Sequence, residues 1–496
     1  MPATDRNVLD GLASWRTANE WRVLRELCDF LSLRNVAGEP GHMRENCAWI
    51  RSALERRGAR TELWRSAAEP EAPPAVFGEL NVGAPWTVGV YAHYDGQPAD
   101  ESHWTVGPWT PAVFSDRIDR GGVRLALPKA GETLGDDCRV YARSASDDKT
   151  PVVALLAALD ALRDAEAEPA VNLLVFIEGE EETTSPHLAE HIAAHRDAMA
   201  AADVWLFCDG PADTFGRRHV AFGVRGDVEL ELTVWGPGHE LHSGHWGNFV
   251  MNPAMELARL IGSLKDAEGR VLIDGFYDDA DAFSETELAA AHEADGLDDA
   301  LRRQAGVGRS EGGNAEPYFS RMLRPSLNVR GLEAAGVGPR ARNVIPDAAR
   351  ASLDIRTVRG SDPHRLVEAL RDHARRMGFA VLDRAPTEAE RDEHARLLTL
   401  VELDSYPAVR TDMNDPAARW ALLAVERAAG EKLLRVPTLG SSMPMHAFAE
   451  GVGKPVVITP MANADNNQHA ADENIRLGHF WAGVRMLATV LTSRGG

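Results

Sequence analysis

Residues 171–182 read VNLLVFIEGEEE, an apolar run of strand length that breaks into four carboxylates around one glycine. Two more stretches have the same form. Residues 86–95, WTVGVYAHYD, run into His93 and Asp95, and residues 204–210, VWLFCDG, run into Asp209 and Gly210. Strands that are apolar throughout are buried on both faces, the habit of parallel sheets covered by helices. Helix-period stretches at about 150–163 and 186–199 lie between them, so this part of the chain is read as α/β.

Upstream, residues 6–35 and 41–58 carry helical apolar spacing (Val8, Leu12, Trp15, then Trp21, Leu24, Cys28, Leu31), punctuated by Gly38, Pro40 and Gly41. Downstream of Gly210 the texture changes. Asp227–Val234 (DVELELTV) and Ala351–Val358 (ASLDIRTV) alternate polar with apolar, as half-buried antiparallel strands do. Helices at about 250–265 and 362–377 could cover that sheet. From Asp415 the α/β texture returns, with a helix to about 429, a strand at 454–459 (KPVVIT) and a closing helix from about 477. The expected architecture is a mostly parallel-sheet domain with helices on both faces, built from residues 1–215 and 406–496. An inserted α+β domain would occupy 216–405.

The 496 residues suit two or three domains, and 53 basic against 75 acidic residues give a net charge of −22. No Lys/Arg run offers a footprint for nucleic acid. The longest apolar stretch, PVVALLAALDAL at 151–162, is about half a bilayer span, so no membrane partner is expected. The first residues lack a basic segment followed by an apolar one, which predicts no secretory signal. Four scattered cysteines without a CxxC pair suit a reducing compartment, and a cytoplasmic location is expected.

In open α/β sheets ligands bind beyond the carboxyl ends of the strands. His93, Glu178–Glu182 and Asp209 follow strands. Asn466–His469 lies some ten residues past a fourth, and Asp147-Asp148 opens the helix near Thr150. Singly, each has a plainer reading: a solvated Glu run, a charge favouring a helix start, a turn, a surface histidine. Together they would crowd carboxylates at one edge, where mutual repulsion raises their pKa values. One or two divalent cations would relieve that, and mixed His/carboxylate sets suit Zn²⁺ or Mn²⁺. No GxGxxG follows a strand and no GxxxxGK[ST] occurs, which disfavours a dinucleotide oxidoreductase and a P-loop enzyme.

The order of motifs (YAHYDGQP, SASDDK, EGEEETTS, LHSGHWG, RNVIP, DIRTV, GSSMP, ADNNQHAADE) resembles the M20 family of metallopeptidases, and within it the carnosinase-like dipeptidase branch. The resemblance implies two divalent metal ions per subunit, zinc by default with manganese or cobalt also suited. His93 and Asp209 would bind one ion, Glu182 and His469 the other, and Asp147 both. Asp95 would orient His93, and Glu181 would be the general base acting on a metal-bridging water. The domain built from 1–215 and 406–496 would be catalytic and the inserted 216–405 a lid/dimerisation domain; His242, with His239 and His245 close by, would stabilise the oxyanion in a partner subunit's site, implying a homodimer through that lid. Arg356 would bind the substrate carboxylate with help from Asn343, while Ser442 and His446 would line the substrate pocket.

Departures from the family pattern are Ala142-Arg143-Ser144 in place of GRG, Thr150 for a glycine, Thr184-Ser185 for Gly-Ser, and Leu439 where an acidic residue often precedes the Gly-Gly-Ser loop. The expected activity is hydrolysis of an amide bond in a small carboxylate-bearing substrate, a dipeptide first. Leu439 leaves open an N-acyl amino acid or a carboxypeptidase substrate. A non-catalytic binding role stands as the remote alternative.

Overall fold

The computed structural model describes residues 3–213, 217–294, 296–440, 443 and 445–495, with side chains from residue 11 onward. The chain forms two compact units: Met1–Gly223 with Thr411–Pro437 and Met443–Gly496, and Val224–Arg410 with Thr438–Ser442. Among the described residues no helix is long and apolar enough to cross a membrane.

The first unit is built on an eight-stranded sheet among the described residues. Its strands are β1 (Arg60–Trp64), β2 (Ala75–Leu80), β3 (Thr87–His93), β4 (Asn172–Glu178), β5 (Val204–Phe207), β6 (His219–Ala221), β7 (Leu434–Val436) and β8 (Val456–Ile458). They lie in the order β1-β2-β4-β3-β5-β8-β6-β7. The central block β4-β3-β5-β8 is parallel. Its flanks are not: β2 runs antiparallel to β4, and β6 to β8, so the sheet is mixed. From β3 the chain steps to one side (β4) and then to the other (β5). That reversal opens a crevice at the carboxyl end of β3.

Register sets what meets there. His93 pairs with Glu178 across β3 and β4, and Tyr91 with Phe207 across β3 and β5, so Asp209 emerges level with His93. Below this edge Tyr91, Phe176, Trp205 and Phe207 pack around Phe448, on the helix Met445–Val452, at centroid distances of 4.8–5.9 Å. Gly89 makes room for Trp205: a Cβ there would stand 2.2 Å from the indole. The helix Lys149–Asp164 is buried from Lys149 through Leu162, which explains its nearly continuous apolar sequence.

A small sheet joins Asn474–Arg476, Arg139–Tyr141, Ala112–Phe114 and Arg124–Leu125 in that order. Its strands are two or three residues long and leave no period in the sequence. The pairing of Asn474 with Tyr141 nonetheless brings the segment after His469 beside the segment before Asp147.

The second unit carries a five-stranded sheet, in the order Ser326–Glu333, Ala348–Thr357, Gly226–Trp235, Leu397–Tyr406 and Ala380–Leu382. It is antiparallel apart from the last pair. The alternation read at 227–234 buries Val228, Leu230, Leu232 and Val234 against Leu257, Leu260, Leu366 and Leu370. Those leucines come from the helices Pro253–Ser263 and Pro363–Arg376. Each helix starts with an Asn or Asp side chain accepting from its first amides and a proline at the next position, a combination that fixes where it begins.

Candidate metal centre

The three strand ends deliver their side chains into one buried cluster. His93 Nδ1 faces Asp95 Oδ1 at 3.2 Å, which turns Nε2 towards Asp147 Oδ1 at 2.9 Å. Asp95 also accepts the backbone N–H of Glu181 at 3.2 Å and of Glu182 at 3.0 Å. One carboxylate thus orients the imidazole and ties the β3 loop to the turn after β4. In that turn Glu182 Oε2 accepts from Gln97 Nε2 at 2.7 Å, and Glu181 Oε2 stands 3.9 Å from His93 Nε2.

Asp147 lies between two imidazoles. Its Oδ1 faces His93, and its Oδ2 faces His469 Nε2 at 3.0 Å; the same His469 nitrogen is 3.2 Å from Glu182 Oε2. Possible ligand atoms therefore fall into two groups, His93–Asp148–Asp209 and Asp147–Glu182–His469, each within 4.8 Å across. Asp148 was not expected among them. Its Oδ2 accepts from His93 N at 3.4 Å, while its Oδ1 is buried without a hydrogen-bond partner among the described residues. A buried carboxylate oxygen left unmatched is costly unless something binds it.

Glu473, fully buried, builds the cradle for Asp147. Its Oε1 accepts from Ser146 N and Oγ at 2.9 Å and from Asp147 N at 3.1 Å. Its Oε2 accepts from Ser144 N at 2.9 Å and Arg143 Nη1 at 2.8 Å. Apart from Leu439, the departures noted in the sequence fall at this loop and at the turn after β4. Ser144 (φ 61°) and Thr184 (φ 69°) keep the left-handed backbone that a glycine accepts more readily, and Thr150 closes its hydroxyl onto the Ala145 carbonyl at 2.5 Å.

The charges of the cluster's own side chains are unevenly balanced. Burial, then the neighbouring Asp147, pushes the Asp209 carboxyl up to about 7. Burial likewise lifts Glu181 and Asp148 well above the carboxylate range, with Asp209 adding to both. Asp147 goes the other way: despite burial, the His469 and His93 imidazoles hold it low. His469 is raised to about 10 by Asp147 and Glu182. His93 is raised as well, since Asp147 and Asp95 outweigh its burial. The paired His nitrogens and carboxylate oxygens are a donor set that divalent cations suit.

Three of the remaining expected residues belong to the second unit and one to the helix Met445–Val452. His242 is in the second unit, exposed, paired with Val344 on a two-residue strand, and its Nδ1 accepts from Gly244 N at 3.1 Å. Asn343 adjoins it: its carbonyl accepts from Ser243 N at 3.0 Å. Arg356 is held by Asp227 at 3.1 Å and Asp354 at 3.4 Å. His446 is half-buried on the helix Met445–Val452, 3.9 Å from Glu450. Ser442 lies outside the described residues.

Residues 89–493 match the pattern of peptidase family M20/M25/M40. The chain is 27% identical over 428 residues to the Cys-Gly metallodipeptidase of Schizosaccharomyces pombe, covering 84% of this chain and 82% of that one. It is 26% identical over 422 residues to the human β-Ala-His dipeptidase, covering 84% and 76%. Among solved structures, an M20 family metallo-carboxypeptidase from Sulfolobus solfataricus superposes with a TM-score of 0.74 at 26% identity, covering 95% of this chain and 99% of that one. A dipeptidase from Saccharomyces cerevisiae shares the fold with a TM-score of 0.73 at 21% identity, covering 100% and 99%.

Proposed function

The chain belongs to peptidase family M20/M25/M40, and we propose that it is a two-metal dipeptidase acting on small peptides with a free carboxylate. The observation that carries this reading is Asp147, with one oxygen on the imidazole of each ligand group and Glu181 alongside. His93 and Asp209, joined by Asp148, would hold one divalent ion; Glu182 and His469 would hold the other; Asp147 would serve both. Zinc is the default, and manganese or cobalt would suit the same donors. Bound ions would polarise the scissile carbonyl and lower the pKa of the attacking water.

The chain's own residues supply the rest. Asp95 fixes the His93 tautomer by accepting from Nδ1. Glu181, lifted by burial, takes the proton from the attacking water and returns it to the leaving amine. His242 stabilises the oxyanion in the site of a partner subunit, which its exposure permits, within a homodimer formed through the second unit. Arg356, with Asn343, binds the substrate carboxylate through its planar fork of donors, and its pairing with Asp227 and Asp354 fixes that fork. His446 lines the pocket. The four cysteines are unpaired, in keeping with a cytoplasmic enzyme.

The test is hydrolysis of free dipeptides against their N-acetylated counterparts, on metal-stripped protein reconstituted with Zn²⁺ or Mn²⁺. Cleavage of free dipeptides alone supports the proposal and means that something other than Leu439 reads the amine. Preference for blocked compounds would make the protein an acyl-amino-acid hydrolase, and failure on both would remove the dipeptidase reading.

A further inference from the structure

The family match begins at residue 89, yet the metal loops are fastened to a segment far upstream of it. Asn35, in the turn after the helix Ala3–Leu31, is fully buried. Its Nδ2 donates to the Tyr94 carbonyl at 2.8 Å and to Ser144 Oγ at 2.8 Å. Its Oδ1 accepts from Trp109 Nε1 at 3.2 Å. The amide can sit only one way round, because an indole N–H only donates and a carbonyl only accepts. Tyr94 directly follows His93, and Ser144 stands three residues before Asp147. The two loops touch so closely here that a Cβ on Gly96 would lie 2.4 Å from Ser144 Oγ and 3.0 Å from Asn35 Nδ2. Two further ties run in parallel. Ala37 N donates to the Gly96 carbonyl at 2.9 Å. Lys149 Nζ donates to the Phe30 carbonyl at 2.9 Å and the Leu33 carbonyl at 2.8 Å, at the end of the same helix.

We infer that Asn35 is a positioning residue of the metal centre, one amide that sets the distance between the loop carrying His93 and the loop carrying Asp147. The first helix and its turn are then part of the catalytic architecture. This rests on the reading that those two residues hold metal. The chemistry is specific to an amide: alanine offers no donor, and aspartate would place an oxygen against the Tyr94 carbonyl. Residues that orient metal ligands without touching the ion cost about 10–100-fold in metal affinity when removed.

The experiment is Zn²⁺ or Mn²⁺ binding to metal-stripped full-length protein by calorimetry, beside thermal melting of the same metal-free samples. Asn35→Ala should weaken metal binding by about 10–100-fold, and kcat lost at limiting metal should partly return at saturating metal. Trp109→Phe removes the bond that orients the amide and leaves an aromatic ring, though a smaller one, for the Arg34 guanidinium that lies 4.5 Å from the Trp109 ring. It should weaken binding in the same direction by less, and it decides the matter if Asn35→Ala does not fold. Wild-type affinity in Trp109→Phe and in a folded Asn35→Ala overturns the inference, even where melting shifts, because a purely structural role would move only the melt. Wild-type protein that takes up fewer than two ions would remove the two-metal reading, and this inference with it.

Discussion

Replacing Glu473 with Gln probes how the Asp147 loop is held. The swap keeps volume and changes one oxygen into an NH₂ group. All five contacts to Glu473 are donors, three on Oε1 and two on Oε2. Burial pushes the Glu473 carboxyl up, but four of the five partners are N–H groups that can only donate and the Ser146 hydroxyl alone could accept, so the carboxylate is the form that satisfies all five. In Glu473→Gln the better of the two amide orientations keeps its oxygen on Ser146 and Asp147. The NH₂ then faces Ser144 N and Arg143. Losing a partner leaves a buried N–H unsatisfied, at about 1–3 kcal/mol. Breaking one side of a buried ion pair costs about 3–5 kcal/mol. Both losses fall on one loop and are not additive, so about 3–5 kcal/mol is expected. At 1.4 kcal/mol per tenfold, that is a loss of roughly 10²–10³·⁵ in protection of the Ser144, Ser146 and Asp147 amides. Native-state hydrogen exchange on the metal-free protein reads it directly. Protection within threefold of wild type, with an unchanged melting profile, would refute the idea that Glu473 holds this loop.

Glu181→Gln should abolish dipeptide turnover while both metal ions remain, checked by elemental analysis; retained activity would remove Glu181 from the base role. Metal affinity should rise with pH. His469, raised to about 10 by Asp147 and Glu182, must shed its proton to become a ligand, so protons compete below that value and occupancy at fixed free metal should fall from pH 9 to pH 6. A flat binding constant over that range would contradict the ligand role of His469. Gly89→Ala places a Cβ 2.2 Å from the Trp205 ring in the middle of the parallel block. It should destabilise the first unit by about 1–3 kcal/mol or more, read as a lower denaturation midpoint; an unaffected midpoint would show that β3 and Trp205 can part.

Much of the fold was readable because long buried strands and amphipathic helices write a period into the sequence. β3, β4 and β5 lie within two residues of the runs WTVGVY, VNLLVFI and VWLFC, and two of the five strands of the second unit's sheet followed from DVELELTV and ASLDIRTV. The flanking antiparallel strands and the small sheet did not show. Three residues such as Arg139–Tyr141 are too few to display alternation, and their pairing with Asn474–Arg476 spans more than three hundred residues of chain.

The candidate ligands stood out for a different reason than the residues around them. A histidine or aspartate directly after an apolar strand is conspicuous, because the strand says where it will emerge. Asp148 was passed over because its neighbour Asp147 accounted for the acidic spot, although only the folded loop turns the two side chains to different ligand groups. Glu473 and Asn35 look like ordinary solvated residues of a loop and a turn, and half of their contacts are to backbone atoms, which any sequence provides. Strand register brings His93 level with Asp209 and Glu178 whatever the loops contain. Asp147 and His469 have no strand to aim them and depend on buried polar anchors: Glu473 under one loop, Asn35 across two. A chain that kept every ligand but lost those anchors would still match the motif pattern and would hold its metal loosely. The motif and the site are thus separate properties of the sequence, and the anchors carry the difference.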